Sequence, residues 1–199
     1  MNAALNESEY LGKRFANLDL SDTILSAKEF EDCEFRDCNF NGASFLKCKL
    51  IECRFVQCNL SVVKVDGSKF YDIEFDSCKA IGINWTRASW PKLTMPAVLK
   101  FKKCILNDSS FMSLKLEELL LEDCEARDVD FRDGNFTGAN FNHTDFAGAL
   151  FGKTNLTGVD FTEAVNFDID VFDNDIRKAK FTRYEAVRLL DSLEIELVD

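Results

Sequence analysis

The sequence predicts an all-β solenoid, a fold in which short extended segments wind around one continuous apolar core. The first observation behind this prediction is a five-residue period, because Phe or Leu recurs at nearly every fifth position of most of the chain. Sixteen of the 19 Phe residues lie in this register. A period of five matches neither the 3.6-residue turn of an α-helix nor the two-residue alternation of a strand. A fixed period over most of a chain is typical of a repeat protein.

The second observation is a small residue two positions before each large apolar residue, which we call the centre of its unit. Residues two apart on an extended segment point to the same side, so both are expected to face the core. The other three positions of each unit are mostly polar and are expected to face solvent. Each unit therefore reads as a short extended piece followed by a polar corner, and repeated corners wind the chain into a β-helix.

All eight cysteines occupy the small inward position, and this explains them better than a metal site or disulfides do. Buried cysteine behaves as a small hydrophobe, and the single histidine supplies no credible zinc partner. We expect free thiols, no metal and no cofactor. Their spacing also hints at four units per coil, because several lie twenty residues apart: Cys33 and Cys53; Cys38, Cys58 and Cys78; Cys104 and Cys124.

The period slips by one residue between Trp90 and Phe101, in a segment that holds two prolines. Proline cannot donate a ladder hydrogen bond, so residues 91–100 are expected to be irregular. Two apolar side chains of this segment, Leu93 and Met95, are candidates for partner binding. The alternative is that they cover the core at a distorted corner.

The repeat resembles the consensus of the pentapeptide-repeat family, in which a small residue, Asp or Asn, and Leu or Phe follow one another. The stretches that carry the resemblance are Cys38-Asn39-Phe40, Cys58-Asn59-Leu60, Ala139-Asn140-Phe141, Thr144-Asp145-Phe146 and Val159-Asp160-Phe161. The resemblance covers residues from about 11 to 165. It implies a right-handed, quadrilateral β-helix.

Three parts of the chain are expected: an N-terminal extension at 1–10, the β-helix at 11–165, and a C-terminal element at 166–199. In the last part, Thr182 and Glu185 have the spacing of a capping box. A short α-helix from about Arg183 to Leu193 is predicted there, followed by a closing strand at 195–198. This element is expected to cap the solenoid and to pair two chains, with dimer contacts from Tyr184, Leu189, Leu190 and Leu193.

Charge is distributed unevenly along the chain. Residues 1–120 hold 17 acidic and 16 basic residues, whereas residues 121–199 hold 18 and 8. Asp32, Glu52 and Asp72 occupy one corner position at intervals of twenty, and Lys49 and Lys69 are expected to neutralise this column in part. A denser acidic group circles most of one coil and includes Glu125, Asp128, Asp130 and Asp133. These acids are candidate partner contacts, although acidity that only keeps a rod soluble is an alternative.

Several function classes are disfavoured by the sequence. A direct nucleic-acid binder should carry a basic patch, and neither a nucleophile–histidine arrangement nor a phosphate-binding glycine loop is visible. No signal peptide or membrane-length apolar stretch is visible either, which favours the cytoplasm. We therefore expect a non-enzymatic protein.

The chain length, the interruption near its middle and the C-terminal helix look like the topoisomerase-protecting branch of the pentapeptide-repeat family. That branch includes the Qnr quinolone-resistance proteins, the mycobacterial MfpA and the immunity proteins for albicidin and microcin B17. The resemblance implies a homodimer joined through its C-termini, whose acidic surface mimics DNA toward DNA gyrase or topoisomerase IV. The alternative is an interaction scaffold with an unrelated protein partner.

Overall fold

The predicted β-helix is confirmed in the computed structural model of the protein, which describes residues 5–90, 99–193 and 195–196. About eight turns stack along one axis. Most of the fourteen strands contain three residues, and all the strand pairs are parallel. The strands are β1 (Glu9–Leu11), β2 (Arg14–Ala16), β3 (Ile24–Ser26), β4 (Glu29–Glu31), β5 (Glu34–Arg36), β6 (Ser44–Leu46), β7 (Lys49–Ile51), β8 (Arg54–Val56), β9 (Lys69–Tyr71), β10 (Ile73–Asp76), β11 (Leu99–Lys102), β12 (Leu120–Glu122), β13 (Asp160–Phe161) and β14 (Lys180–Phe181).

The register confirms four units per coil. Strand β5 pairs with β8 so that Phe35 lies beside Phe55, and β4 pairs with β7 so that Phe30 lies beside Leu50. Each partner is twenty residues further along the chain. Across the slip the offset becomes 26 residues, because Phe75 of β10 lies beside Phe101 of β11. The slip therefore lengthens one coil by six residues and leaves the stacking of the core uninterrupted.

Aromatic side chains fill the interior of the solenoid. Centre residues of successive coils stack nearly parallel, as Phe75 and Phe101 do with ring centroids 4.7 Å apart, whereas neighbouring centres of one coil meet edge to face. Offset-stacked and edge-to-face arrangements are the two that aromatic rings prefer. Trp85 is also fully buried, and the short 3₁₀ turn that it begins, Trp85–Arg87, closes the corner before the slip.

The corners are built from left-handed residues. The second residue after a centre has a positive φ in nearly every unit, as in Asp32 (50°), Glu52 (51°) and Asp128 (56°). The residue before the centre supports the same turn when it is Asn or Asp. Asn59 Oδ1, for example, accepts a hydrogen bond from the Ser61 N–H at 3.1 Å. Such local side-chain bonds explain why Asn and Asp recur at this position of the unit.

The eight cysteines are buried and free. Five of them form a single column, Cys38, Cys58, Cys78, Cys104 and Cys124, in which the Cys78 N–H donates to Cys104 Sγ at 3.4 Å. Each thiol in this column also donates to a backbone carbonyl one coil earlier, as Cys78 Sγ does to Phe55 O at 3.4 Å. The 26-residue step across the slip is what joins Cys104 and Cys124 to the first three.

Regular stacking extends beyond 11–165 at both ends. Tyr10 lies in β1 and stacks on Phe30 at 5.1 Å, and Leu5 is buried against the same core. At the other end, Phe181 of β14 stacks on Phe161 at 4.9 Å. The five-residue pattern fades after Phe161 because the chain between these two strands makes an irregular coil.

The C-terminal helix is present over Glu185–Leu193, but it is a 3₁₀-helix instead of the predicted α-helix. In a 3₁₀-helix the side chains three residues apart eclipse one another, so Leu189 does not share a stripe with Leu190 and Leu193. The capping box is also absent, since the Thr182 hydroxyl accepts a hydrogen bond from the Glu163 N–H at 2.7 Å and so ties the segment to the preceding coil. Ile195 and Glu196 have no strand conformation, and the rest of the predicted closing strand lies outside the described residues.

Candidate functional site

The acidic column exists as a continuous feature of one corner of the solenoid. Asp32, Glu52 and Asp72 are exposed and occupy the same left-handed position in three successive coils. The column borders a groove of about 390 Å³. The opposite rim of the groove is a row of alternating basic and acidic side chains, namely Arg14, Glu34, Arg54, Glu74 and Lys100. The column is therefore the rim of uniform negative sign, and the facing row is of mixed charge.

Partial neutralisation of the column comes from a residue that the sequence analysis did not consider. Lys100 Nζ lies 2.5 Å from Asp72 Oδ1, whereas Lys49 pairs with Glu29 at 2.7 Å. Lys100 reaches Asp72 because the longer coil at the slip brings β11 beside β10. This pair can be predicted from the sequence only if the 26-residue offset between β10 and β11 is already known.

The denser acidic group lies in the coil of residues 114–133, which we call the acidic belt. It contains eight acids and three bases. Glu125 lies on one face, Asp128 on the next corner, Asp130 on the following face and Asp133 on the corner after that. The predicted ring of charge is therefore present, and these four acids are not gathered on a single face.

The acids of the belt differ in whether they are paired with a basic side chain. Arg132 donates to both carboxylate oxygens of Asp130, at 2.9 and 2.8 Å, and these hydrogen bonds lower the pKa of Asp130 below its ordinary value. Asp128 and Asp133 are exposed and make no ion pair among the described residues. Asp128 and Asp133 are thus better placed than Asp130 to contact a basic partner.

The belt belongs to a longer stretch of high charge density. Residues 114–173 form three coils with 14 acids and four bases, a net charge of −10. Coils stack with the strand spacing of about 4.8 Å, so this stretch carries roughly one net negative charge per 1.4 Å of axis. Duplex DNA carries one per about 1.7 Å. The charge density of this half of the rod is close to that of DNA.

The candidate dimer residues fall on two sides of the 3₁₀-helix. Leu189 packs against the core and Leu190 is half-buried, whereas Tyr184 and Leu193 are 86% and 39% exposed. Val187 is exposed on the same side as Tyr184 and was not singled out from the sequence. The helix therefore has one side that caps the solenoid and another that faces solvent.

Two further candidates for partner binding, Leu93 and Met95, lie outside the described residues. Within 5–90, 99–193 and 195–196, no group of three His, Cys, Asp or Glu side chains is arranged to hold a metal ion. No helix in these ranges has the length and apolar character needed to cross a membrane.

Comparison with known proteins gives a family and several similar folds. A family model described as a pentapeptide repeat region matches residues 28–98 and 95–161. The full-length structure of QnrB1, a plasmid-mediated fluoroquinolone resistance protein, is similar with a TM-score of 0.59 and 20% identity, over 94% of this chain and 100% of that one. A trypsin-treated variant of QnrB1 is similar with a TM-score of 0.51 and 26% identity, over 96% of this chain and 90% of that one.

HetL from the cyanobacterium Nostoc sp. strain PCC 7120 is similar to the same degree in fold. This pentapeptide-repeat protein, involved in heterocyst differentiation regulation, gives a TM-score of 0.58 and 16% identity over 86% of this chain and 84% of that one. No curated protein sequence matches the chain significantly.

Proposed function

This chain belongs to the pentapeptide-repeat family, and we propose that it is a non-enzymatic, cytoplasmic binding protein whose partner is DNA gyrase or topoisomerase IV. In this proposal the acidic half of the rod takes the place of DNA on the enzyme and protects it from a quinolone-like drug or a peptide toxin. Side chains fill the interior of the solenoid, so a partner must bind to its outer surface, which favours protein binding over catalysis in an enclosed pocket.

The charge density of residues 114–173 carries the proposal. A rigid rod with about one net negative charge per 1.4 Å offers a basic DNA channel the same long-range attraction as a duplex. The similarity to QnrB1 supports the same partner class, since that protein is described as a fluoroquinolone resistance protein.

A homodimer joined through the C-terminal helix is part of the proposal. Tyr184, Val187 and Leu193 are exposed apolar side chains at the end of the rod. Two-fold pairing is a common way for a soluble chain to bury such a patch. End-to-end pairing would place two acidic halves in line and double the length of the DNA-like surface.

A second candidate function is an interaction scaffold for an unrelated protein. HetL supports it, because a regulator of differentiation matches this fold as well as QnrB1 does. The two candidates differ in whether purified gyrase or topoisomerase IV binds the protein at all.

The test is binding to purified gyrase as a function of salt, with charge reversal on the rod. Asp128→Lys with Asp133→Lys should slow association several-fold, because exposed complementary charges act mainly on the association rate. Asp32→Lys with Glu52→Lys is the control with the same charge change in the near-neutral half, and it should slow association less. Added duplex DNA should compete, and binding should weaken as salt rises.

If neither salt, nor added DNA, nor either pair of substitutions changes binding to gyrase, the DNA-like surface has no role in binding. Equal effects of the two pairs would indicate that total charge matters and the belt does not.

A further inference from the structure

Phe172 is the one phenylalanine that the fold leaves in solvent. Phe172 is 76% exposed to solvent, whereas the other 18 Phe residues are buried or half-buried. Exposing a phenylalanine gives up the roughly 2–3 kcal/mol that full burial of such a side chain contributes. An aromatic residue that the solenoid does not use for its own core is therefore a candidate for contact with another molecule.

The turn that presents Phe172 is held in place by several hydrogen bonds. The Phe172 N–H donates to Asp170 Oδ1 at 2.7 Å, and the Asn174 N–H donates to Asp170 O at 3.1 Å. Asn174 is buried, at 8% exposure, and its Oδ1 accepts from the Thr154 N–H of the preceding coil at 3.0 Å. The Lys153 N–H donates to Asp173 O at 3.0 Å.

The bonds from Lys153 and Thr154 continue the inter-coil ladder up to the turn, and those to Asp170 fix the direction of the turn. A side chain displayed on a rigid backbone loses little conformational freedom on binding, which is a general route to affinity. Phenylalanine, like tyrosine and tryptophan, is enriched in protein interfaces relative to the rest of the surface.

The charge around Phe172 identifies the chemistry of the partner. The coil of residues 154–173 contains five acids and no base, and three of the acids, Asp168, Asp170 and Asp173, lie within four residues of Phe172. Two copies of this chain meeting here would bring these acids together, which is unfavourable. A partner surface with basic residues around an apolar pocket satisfies both the ring and the carboxylates.

We propose that Phe172 is an anchor that inserts into an apolar pocket bordered by basic side chains on the topoisomerase. The inference rests on the proposed function and adds a specific contact to the general attraction of the acidic surface. DNA has no counterpart of this contact, so Phe172 gives the rod a fixed position along the channel that charge alone does not give.

The test compares the affinity of purified gyrase for the full-length protein and three variants at one ionic strength. Phe172→Ser should weaken binding tenfold or more, with a faster dissociation rate. Ile24→Ser is the matched control, because Ile24 is 68% exposed at the opposite end of the rod, and it should change affinity less than twofold. Asp168→Lys should slow association. Sedimentation of each variant reports its oligomeric state.

Each outcome decides the inference. Wild-type affinity in Phe172→Ser overturns the anchor and leaves the proposed function standing, whereas no binding of wild-type protein to gyrase or topoisomerase IV overturns both. Conversion of Phe172→Ser to a monomer would assign the residue to the dimer contact and overturn the inference. Unchanged association of Asp168→Lys would show that the partner surface at this point is not basic, which also overturns it.

Discussion

Cysteine and serine at the inward position of a unit make the same hydrogen bond, in which the thiol or hydroxyl donates to a backbone carbonyl one coil earlier. Ser68 Oγ donates to Phe45 O at 2.7 Å and Ser109 Oγ to Ala80 O at 2.9 Å, one coil earlier in each case. Cys48 and Cys78 make the corresponding bonds to Leu25 O and Phe55 O. The cysteines thus link successive coils, and their chemistry is that of a small buried donor.

Alkaline pH should destabilise the fold through these thiols. Burial raises the pKa of Cys53 to about 12, and the hydrogen bond with Cys104 followed by burial raises that of Cys78 to about 12. The unfolded chain loses these protons near pH 9, whereas the folded chain keeps them. The contribution of the thiols to the free energy of unfolding is therefore fully present below pH 9. Between pH 9 and 12 the free energy of unfolding should fall by roughly 1 kcal/mol per thiol for each pH unit.

Cys78→Ser keeps the donor and removes the titrating thiol, so this variant should show a shallower loss of unfolding free energy between pH 9 and 10. Denaturant titrations at pH 7, 9 and 10 measure the difference. The same slope in wild type and variant would mean that the thiols ionise equally in the folded and unfolded chains.

Val62 is a strained residue of one corner. Its φ is 52°, in a region that β-branched residues rarely adopt, and its side chain is exposed. The left-handed conformation costs an ordinary L-residue about 1–2 kcal/mol, and asparagine tolerates it better. Val62→Asn should therefore raise the free energy of unfolding by about 1 kcal/mol. Gln57→Asn, at an unbranched residue with φ 55°, is the control and should gain less in the same denaturation experiment.

At the level of the secondary-structure elements, the C-terminal 3₁₀-helix separates the side that packs on the solenoid from the exposed stripe that we propose for dimerisation, and an α-helix would mix the two. With three residues per turn, Ala186, Leu189 and Ser192 form the side that meets the solenoid, and the Val171 N–H contacts Ser192 Oγ at 3.5 Å. Tyr184, Val187, Leu190 and Leu193 form the next stripe, three of them exposed. Glu185, Arg188 and Asp191 form the third.

Two substitutions should separate the cap from the dimer contact. Leu189→Glu should lower the free energy of unfolding by about 1–2 kcal/mol, because it places a charge against the core. Leu193→Glu should leave thermal stability of the monomer unit nearly unchanged and convert a dimer to a monomer in sedimentation velocity. A dimer that survives Leu193→Glu would move the self-contact away from this stripe.

The sequence predicts the elements to different extents. The five-residue period identifies Phe35, Phe55 and Phe141 as core residues, because burial repeats with the period, and the cysteine spacing indicates a twenty-residue coil. The 26-residue step at the slip was not predictable, since its length depends on how the inserted residues are accommodated. The Asp72–Lys100 pair and the five-thiol column both depend on that step.

Other features arise where the period ends. The exposed turn at Phe172 follows from the hydrogen bonds of Asp170 and Asn174, which lie beyond the last regular unit. Helical type also escapes prediction in a segment of nine residues, since contacts with the end of the solenoid outweigh its weak intrinsic preference.

At the scale of the whole molecule, the rod is divided into a nearly neutral half and a strongly acidic half. The aromatic core and the inter-coil hydrogen bonds hold the backbone of each coil in place, so the charges of residues 114–173 are carried on a regularly spaced scaffold. A DNA channel would meet charge at the density of a duplex there, and the apolar helix stripe and Phe172 lie at or near the same end.

The proposed protection can be measured as DNA supercoiling by purified gyrase in the presence of a quinolone. We expect the protein to restore supercoiling in a dose-dependent way, at concentrations between equimolar and about tenfold excess over gyrase. The variant with Asp128→Lys and Asp133→Lys should require several-fold more protein for the same rescue, as its slower association implies. If neither the wild-type protein nor the variant changes the inhibition curve of a quinolone or of a gyrase-directed peptide toxin, the protein does not protect gyrase and the proposed function is wrong.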